Sequence, residues 1–214
     1  MPLWKLVLLS LSPFVILSGC ATYAPPRIPN AAGRPTVYEN PASPGAVTGV
    51  GLESQDIVSA TDRMVRDILA TPVIAARQTP PRIVMDSSYF KNESSSVVNT
   101  NLLTDRFRTQ LSRAAGPKMV FLARHYADMV EKERLLEQEG IVTEGTQGRT
   151  KQAYGYDYRL GGRIASLDAV DVRTGLKSRY HQITFELVER GSGVMVWSEM
   201  YEFKKAAWDS ILYR

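Results

Sequence analysis

Apolar residues along this chain follow three rhythms in turn, and each marks off a region. Leu6 to Leu17 is a dense apolar run interrupted by Pro13. From Ala21 to about Gly51 no period can be traced, because Pro25, Pro26, Pro29, Pro35, Pro41 and Pro44 break it, with Gly33, Gly45 and Gly49 between them. Beyond that point the helical and strand periods take over. Ile57, Thr61, Met64, Val65 and Ile68 recur at helical spacing, which predicts a helix from Ser54 or Asp56 to about Thr71, stopped by Pro72. Pro80-Pro81 hand over to a short strand, Arg82 to Asp86, and Ser87 to Asn99 reads as a polar loop. A second helix begins near Thr100 with Leu103, Phe107, Leu111 and Ala114 on one face. Gly116-Pro117 closes it, a glycine followed by a residue that cannot continue a helix.

Met119 to Leu122 reads as a buried strand, and Tyr126 to Glu139 as a charged helix with Met129, Val130, Leu135 and Leu136 as its apolar residues. Gly140 to Gly155 is glycine-rich and reads as a mobile loop. Three strands follow in quick succession. Tyr156 to Ala169 is the first, where Gly161-Gly162 predicts a bulge or a close backbone approach. Arg179 to Glu189 alternates Ile183, Phe185 and Leu187 against Gln182, Thr184 and Glu186. Val194 to Phe203 alternates Met195, Trp197, Tyr201 and Phe203 against Val196, Ser198, Met200 and Glu202. Helices and strands mix without strict alternation, and the last third is a meander. The predicted class is α+β, a mixed sheet with a C-terminal antiparallel meander and helices packed on it.

The N-terminal run changes the picture from fold to address. Lys5 precedes it, it spans about a dozen residues, and small residues lead to Cys20, the layout of a secretory signal. It falls short of the ~20 apolar residues that span a bilayer. Leu17-Ser18-Gly19-Cys20 resembles a bacterial lipobox, whose cysteine becomes the acylated first residue of the mature chain. The expected organisation is a signal peptide over 1–19, a lipid-anchored, disordered tether over 20–50, and a globular domain over 51–214. Two or three acyl chains anchor stably where one does not. Cys20 is the only cysteine, so its acylation leaves the mature chain without thiol, disulfide or cysteine–metal chemistry. Ala21 after the cysteine is not the aspartate that retains enteric lipoproteins in the inner membrane. By that resemblance the chain faces the periplasm from the outer membrane. The net charge of +4 is a weak excess spread over mixed signs, and nucleic acid is not an expected partner.

Catalytic patterns are thin. Two histidines, His125 and His181, have no neighbouring cluster with metal-ligand spacing, and His181 reads as a partly exposed strand residue. Ser88-Tyr89-Phe90-Lys91 matches the S-x-x-K spacing of penicillin-binding enzymes, and Arg173-Thr174-Gly175 mimics their K-T-G element. The serine, however, falls in a predicted loop, where the one-turn helical geometry fails. Glu131, Glu133, Glu137 and Glu139 interleave with Lys132 and Arg134 as a solvated helix face. No catalytic residue, cofactor or metal is expected, and the chain reads as a non-enzyme. Tyr89, Phe90 and Lys91 place two aromatics and a cation in the predicted loop and are the first candidates for partner binding. Arg106, Arg113 and the charged helix from Tyr126 to Glu139 follow as further candidates.

Six stretches carry a resemblance: Gly51 to Ile57, Asp86 to Asn92, Asn101 to Arg106, Asp157 to Ile164, Gly193 to Ser198 and Tyr201 to Lys205. Together they resemble the LpoB family of outer-membrane lipoprotein activators of penicillin-binding proteins. The resemblance implies a fold similar to the N-terminal domain of TolB. It also implies a non-enzymatic role, binding the regulatory domain of a bifunctional peptidoglycan synthase and raising its rates, with the domain mostly monomeric. A structural lipoprotein of a secretion or flagellar assembly is the alternative, and self-assembly separates the two. The tether is short for the family role. About 30 residues reach on the order of 90 Å when fully extended.

Overall fold

The computed structural model describes residues 27–28, 36–45, 49–141 and 154–208. Signal peptide, Cys20 and most of the Gly140–Gly155 loop lie outside the described residues. The chain divides into two units, Met1–Glu39 and Asn40–Arg214. In the first, β1 (Arg27–Ile28) pairs antiparallel with β2 (Thr36–Val37), a two-residue ladder inside the proline-rich stretch.

The second unit runs α1 (Ser54–Ala70), α2 (Pro72–Ala75), β3 (Arg82–Glu93), α3 (Thr100–Ala115), β4 (Val120–Leu122), α4 (Ala127–Gln138), β5 (Tyr158–Val170), β6 (Lys177–Glu189) and β7 (Met195–Ala207). Five strands form one mixed sheet in the order β4-β3-β5-β6-β7. Both β3–β4 and β3–β5 are parallel, and the last two pairs are antiparallel. The expected mixed sheet with its meander is what the chain adopts.

Local chemistry accounts for the helix ends. Glu53 and Asp56 form a capping box at the start of α1, each side chain accepting from the other's backbone. The Asn99 side chain accepts from Asn101 N (3.0 Å) at the start of α3. Gly116 takes a left-handed φ of 52° just after α3, where a β-carbon is disfavoured. The buried face of α3 is Leu103, Phe107, Leu111 and Ala115, so exposed Ala114 lies one position off the face.

α1 and α3 pack on each other and on one face of the sheet. Met64 and Ile68 of α1 meet Leu103, Phe107 and Leu111 of α3 over Ile83, Leu160, Ile164, Ile183, Phe185 and Leu187. Phe185 is central, with Phe107 and Phe90 at 4.4 and 4.8 Å between ring centroids. Three side-chain ties fix α1 to β7: Trp197 Nε1 donates to Asp67 Oδ2 (2.7 Å), Arg63 pairs with Glu199 (3.0 Å) and Lys205 pairs with Asp56 (2.6 Å).

Three expectations need correction. β4 is an edge strand with Val120 exposed, not a buried one, because only β3 pairs with it. His181 is fully buried rather than partly exposed, since its side chain points to the helix-covered face and lies stacked on Phe203. The third concerns Ser87 to Glu93, which continues β3 instead of forming a loop.

Candidate functional site

The β3 extension builds the site. Along β5, Leu160 to Gly162 is two steps, whereas their β3 partners, Met85 and Phe90, are five steps apart. The surplus forms a bulge in which the Asp86 carboxylate accepts from Ser88 N (2.9 Å). That bond, with Ser88's hydroxyl and to a lesser degree the Arg159 guanidinium, holds the Asp86 carboxyl below the usual carboxylate range. Glycine is what the partner strand needs there. A β-carbon on Gly162 would sit 2.2 Å from Thr184 O and 2.8 Å from Phe90 Cε2. The Gly161-Gly162 pair thus marks the close approach its sequence suggests.

Past the bulge, alternation sends Phe90 into the core and Tyr89 and Lys91 to the face opposite the helices. That face carries Arg159, Gly161 and Arg163 from β5, and Glu186 and Val188 from β6. Together with Glu93, Tyr156, Glu189 and Arg190 they line an open pocket of about 460 Å³. The Arg159 guanidinium lies 3.9 Å from the Tyr89 ring centroid and 5.3 Å from that of Tyr156. Arg190 stands 5.6 Å from the same Tyr156 ring. Next to Tyr156 in the chain, Asp157 accepts from the Arg82 backbone N (2.8 Å), Nε (3.3 Å) and Nη2 (3.2 Å). Those bonds from Arg82 hold the Asp157 carboxyl below its ordinary range.

Charge on this face is mixed in sign, without close pairing of opposite charges among the described residues. Lys91 and Arg163 are direct cross-strand partners on one face, a like-charge pair that destabilises a ladder. Among the described residues, no carboxylate lies within ion-pair distance of Lys91, Arg159, Arg163 or Arg190. Arg159 Nε is buried and has no hydrogen-bond partner among the described residues. Such a donor costs free energy unless something else satisfies it.

The sequence candidates separate accordingly. Tyr89, half exposed, and Lys91 are brought together at the pocket. Phe90 is a core residue, 4% exposed, so its expected place on a binding surface is corrected by the strand's alternation. Arg106 belongs to the helix layer, where Nε donates to Thr61 Oγ1 (2.9 Å) and Nη2 pairs with Asp62 (3.3 Å). It ties α3 to α1. Arg113 lies exposed in the last turn of α3, where a cation suits the helix dipole. Neither arginine comes to the pocket. Arg159, Arg163 and Tyr156 were missed as site residues. Their signal was the polar alternate set in β5, Arg159, Gly161 and Arg163, opposite Tyr158, Leu160 and Ile164.

Elsewhere, α4 buries none of its residues. A second open pocket of about 440 Å³ lies between it and Phe121, Leu122 and Tyr154. No group of three or more histidine, cysteine or acidic residues that could hold a metal occurs among the described residues. None of the described helices is long and apolar enough to cross a membrane.

The profile of a family described as the peptidoglycan-synthase activator LpoB matches residues 56–203, well over half the chain. The chain belongs to the LpoB family. Among solved structures, the LpoB C-terminal domain from Escherichia coli is 16% identical, with 69% of this chain and 98% of that one covered and a TM-score of 0.43. The LpoB C-terminal domain from Salmonella enterica is also 16% identical, covering 72% and 99% at a TM-score of 0.39. A Neisseria meningitidis lipoprotein, GNA1162, follows at 15% identity, 61% and 87% coverage and a TM-score of 0.31. Among curated proteins none matches the sequence. The match to LpoB spans α1 to β7 and so includes the strands that carry the charged face.

Proposed function

We propose that this protein is an outer-membrane lipoprotein, acylated on Cys20, that binds and activates a bifunctional peptidoglycan synthase through the uncovered face of its sheet. The family match over residues 56–203 carries the reading. Its choice of surface rests on the pocket at Tyr89, Lys91, Arg159 and Arg163, where an exposed aromatic and cations without an ion pair among the described residues meet a concave wall of strands. Aromatic and arginine side chains at the centre of a patch are the usual anchors of an interface. The tether over 20–50 supplies reach, and the domain supplies recognition. No step of catalysis is assigned to the chain, since its part is to shift the synthase toward a more active state by binding that state better.

The test is a binding and rate measurement with the full chain and the bifunctional penicillin-binding protein of the same host. Saturable binding with a rise in glycan-polymerisation rate is expected. No binding, or a symmetric homo-oligomer of this chain with no effect on the synthase, overturns the reading.

A further inference from the structure

Four cations and three carboxylates line the pocket: Lys91, Arg159, Arg163 and Arg190 against Glu93, Glu186 and Glu189. Seven charges on one wall, with none of the four cations in an ion pair among the described residues, is an expensive arrangement for a free surface. Glu189 spends one oxygen on the Ser192 hydroxyl. Glu186 is opposite Gly161 on the neighbouring strand, and Glu93 is opposite Ala165, so register keeps both off the cations' own cross-strand positions. Lys91 and Arg163 meet each other instead.

Arg159 is the fixed point. Its guanidinium is stacked on Tyr89 and faces Tyr156, which pre-orients a side chain that otherwise loses much rotamer freedom on binding. Its Nε is buried, which leaves the two Nη groups as the edge a partner meets. A planar guanidinium presenting that edge, next to two further cations, matches a carboxylate, which accepts from the two Nη groups in two parallel bonds. A dianionic phosphate fits less well, because three carboxylates line the same wall and repel a second negative charge. Those carboxylates suit a partner that carries a base beside its acid.

Resting on the reading of this chain as a synthase-binding module, we infer that the docked synthase segment is anchored by an aspartate or glutamate. Its carboxylate seats on Arg159 between Tyr89 and Tyr156, and Lys91 and Arg163 flank it. The surrounding wall is too mixed in sign for affinity to come from long-range charge alone, so the anchor acts through geometry as well as charge.

Binding of the full chain to the synthase is measured for the native protein, Arg159→Gln, Arg159→Lys and Lys91→Glu, with thermal unfolding of each as a check on folding. A central arginine anchor predicts a loss of about thirtyfold or more for Arg159→Gln. Arg159→Lys fails to restore it, because an ammonium is a point charge without the fork. Lys91→Glu, an exposed strand position, weakens binding and reduces its salt dependence. If the native chain binds while all three variants bind equally well, the carboxylate anchor is wrong and the synthase reading stands. If the native chain does not bind, the synthase reading itself fails and the anchor falls with it.

Discussion

Lys205 is the cation at the centre of a largely buried cluster where the chain enters the domain. Its Nζ lies 2.6 Å from Asp56 Oδ2, 3.4 Å from Glu53 Oε1 and 3.1 Å from Gly51 O, and its side chain is 17% exposed. The two carboxylate partners are 12% and 9% exposed. Lys205→Met keeps the apolar stem and removes the charge, leaving two carboxylates close together with no cation between them. Removing one partner of a buried pair costs ~3–5 kcal/mol. The residual solvent access here places the value near the lower end, about 3 kcal/mol, with screening already counted. For a domain of this size that corresponds to a melting temperature lower by about 6–12 °C. Because Asp56 also completes the capping box of α1, Asp56→Asn is destabilising alone, but its cost added to Lys205→Met is less than the sum of the two. Urea unfolding of the two single variants and the double variant, followed by far-UV circular dichroism, measures the coupling. A Lys205→Met midpoint within about 0.5 kcal/mol of the native one, the range of ordinary surface changes, would refute the argument.

Phe90→Ala removes a buried ring that rests on Phe185 and over Gly162, and it is expected to cost ~3–5 kcal/mol in chemical denaturation. Tyr89→Ala, one residue away on the open face, leaves the midpoint almost unchanged, so equal losses at both positions would contradict the alternation assigned to β3. His181 Nε2 donates to Val50 O (2.6 Å) and its Nδ1 is buried without a partner among the described residues. Burial, aided by Arg179 and Lys205, pushes its pKa below the ordinary value, although the Val50 carbonyl and Asp56 pull the other way. The unfolded chain therefore takes up the proton first. Stability is full above about pH 6.5 and falls as pH drops below it, by at most ~1.4 kcal/mol per pH unit, until the folded-state pKa is passed. Unfolding free energies of the native chain and His181→Gln between pH 8 and 5 check the sign, and identical slopes would remove His181 as the cause. Cys20→Ser is expected to abolish acylation and outer-membrane fractionation; normal fractionation of that variant would end the lipoprotein reading.

What the sequence determined by itself was whatever depends on neighbours within one helical turn or one strand. The spacing of Ile57, Met64 and Ile68 suffices for α1, because residues on one helix face are set by the backbone period alone. Alternation through Ile183, Phe185 and Leu187 is equally local and names the buried side of β6. Gly161-Gly162 announced a close approach without saying to what. Tertiary structure decided the rest. Ser87-Ser88 has turn chemistry, and it is taken up as a bulge within β3 because pairing with β5 holds the strand on both sides of it, at Met85 and again from Phe90 onward. That pairing in turn separates Tyr89 from Phe90, sending one to the pocket and the other to the core. It also sets Lys91 beside Arg163, residues 72 positions apart whose adjacency follows from register and from no local pattern. The charged face exists because strands β3 and β5 are joined by a parallel ladder, and a parallel ladder is a contact between distant segments that no short window of sequence contains.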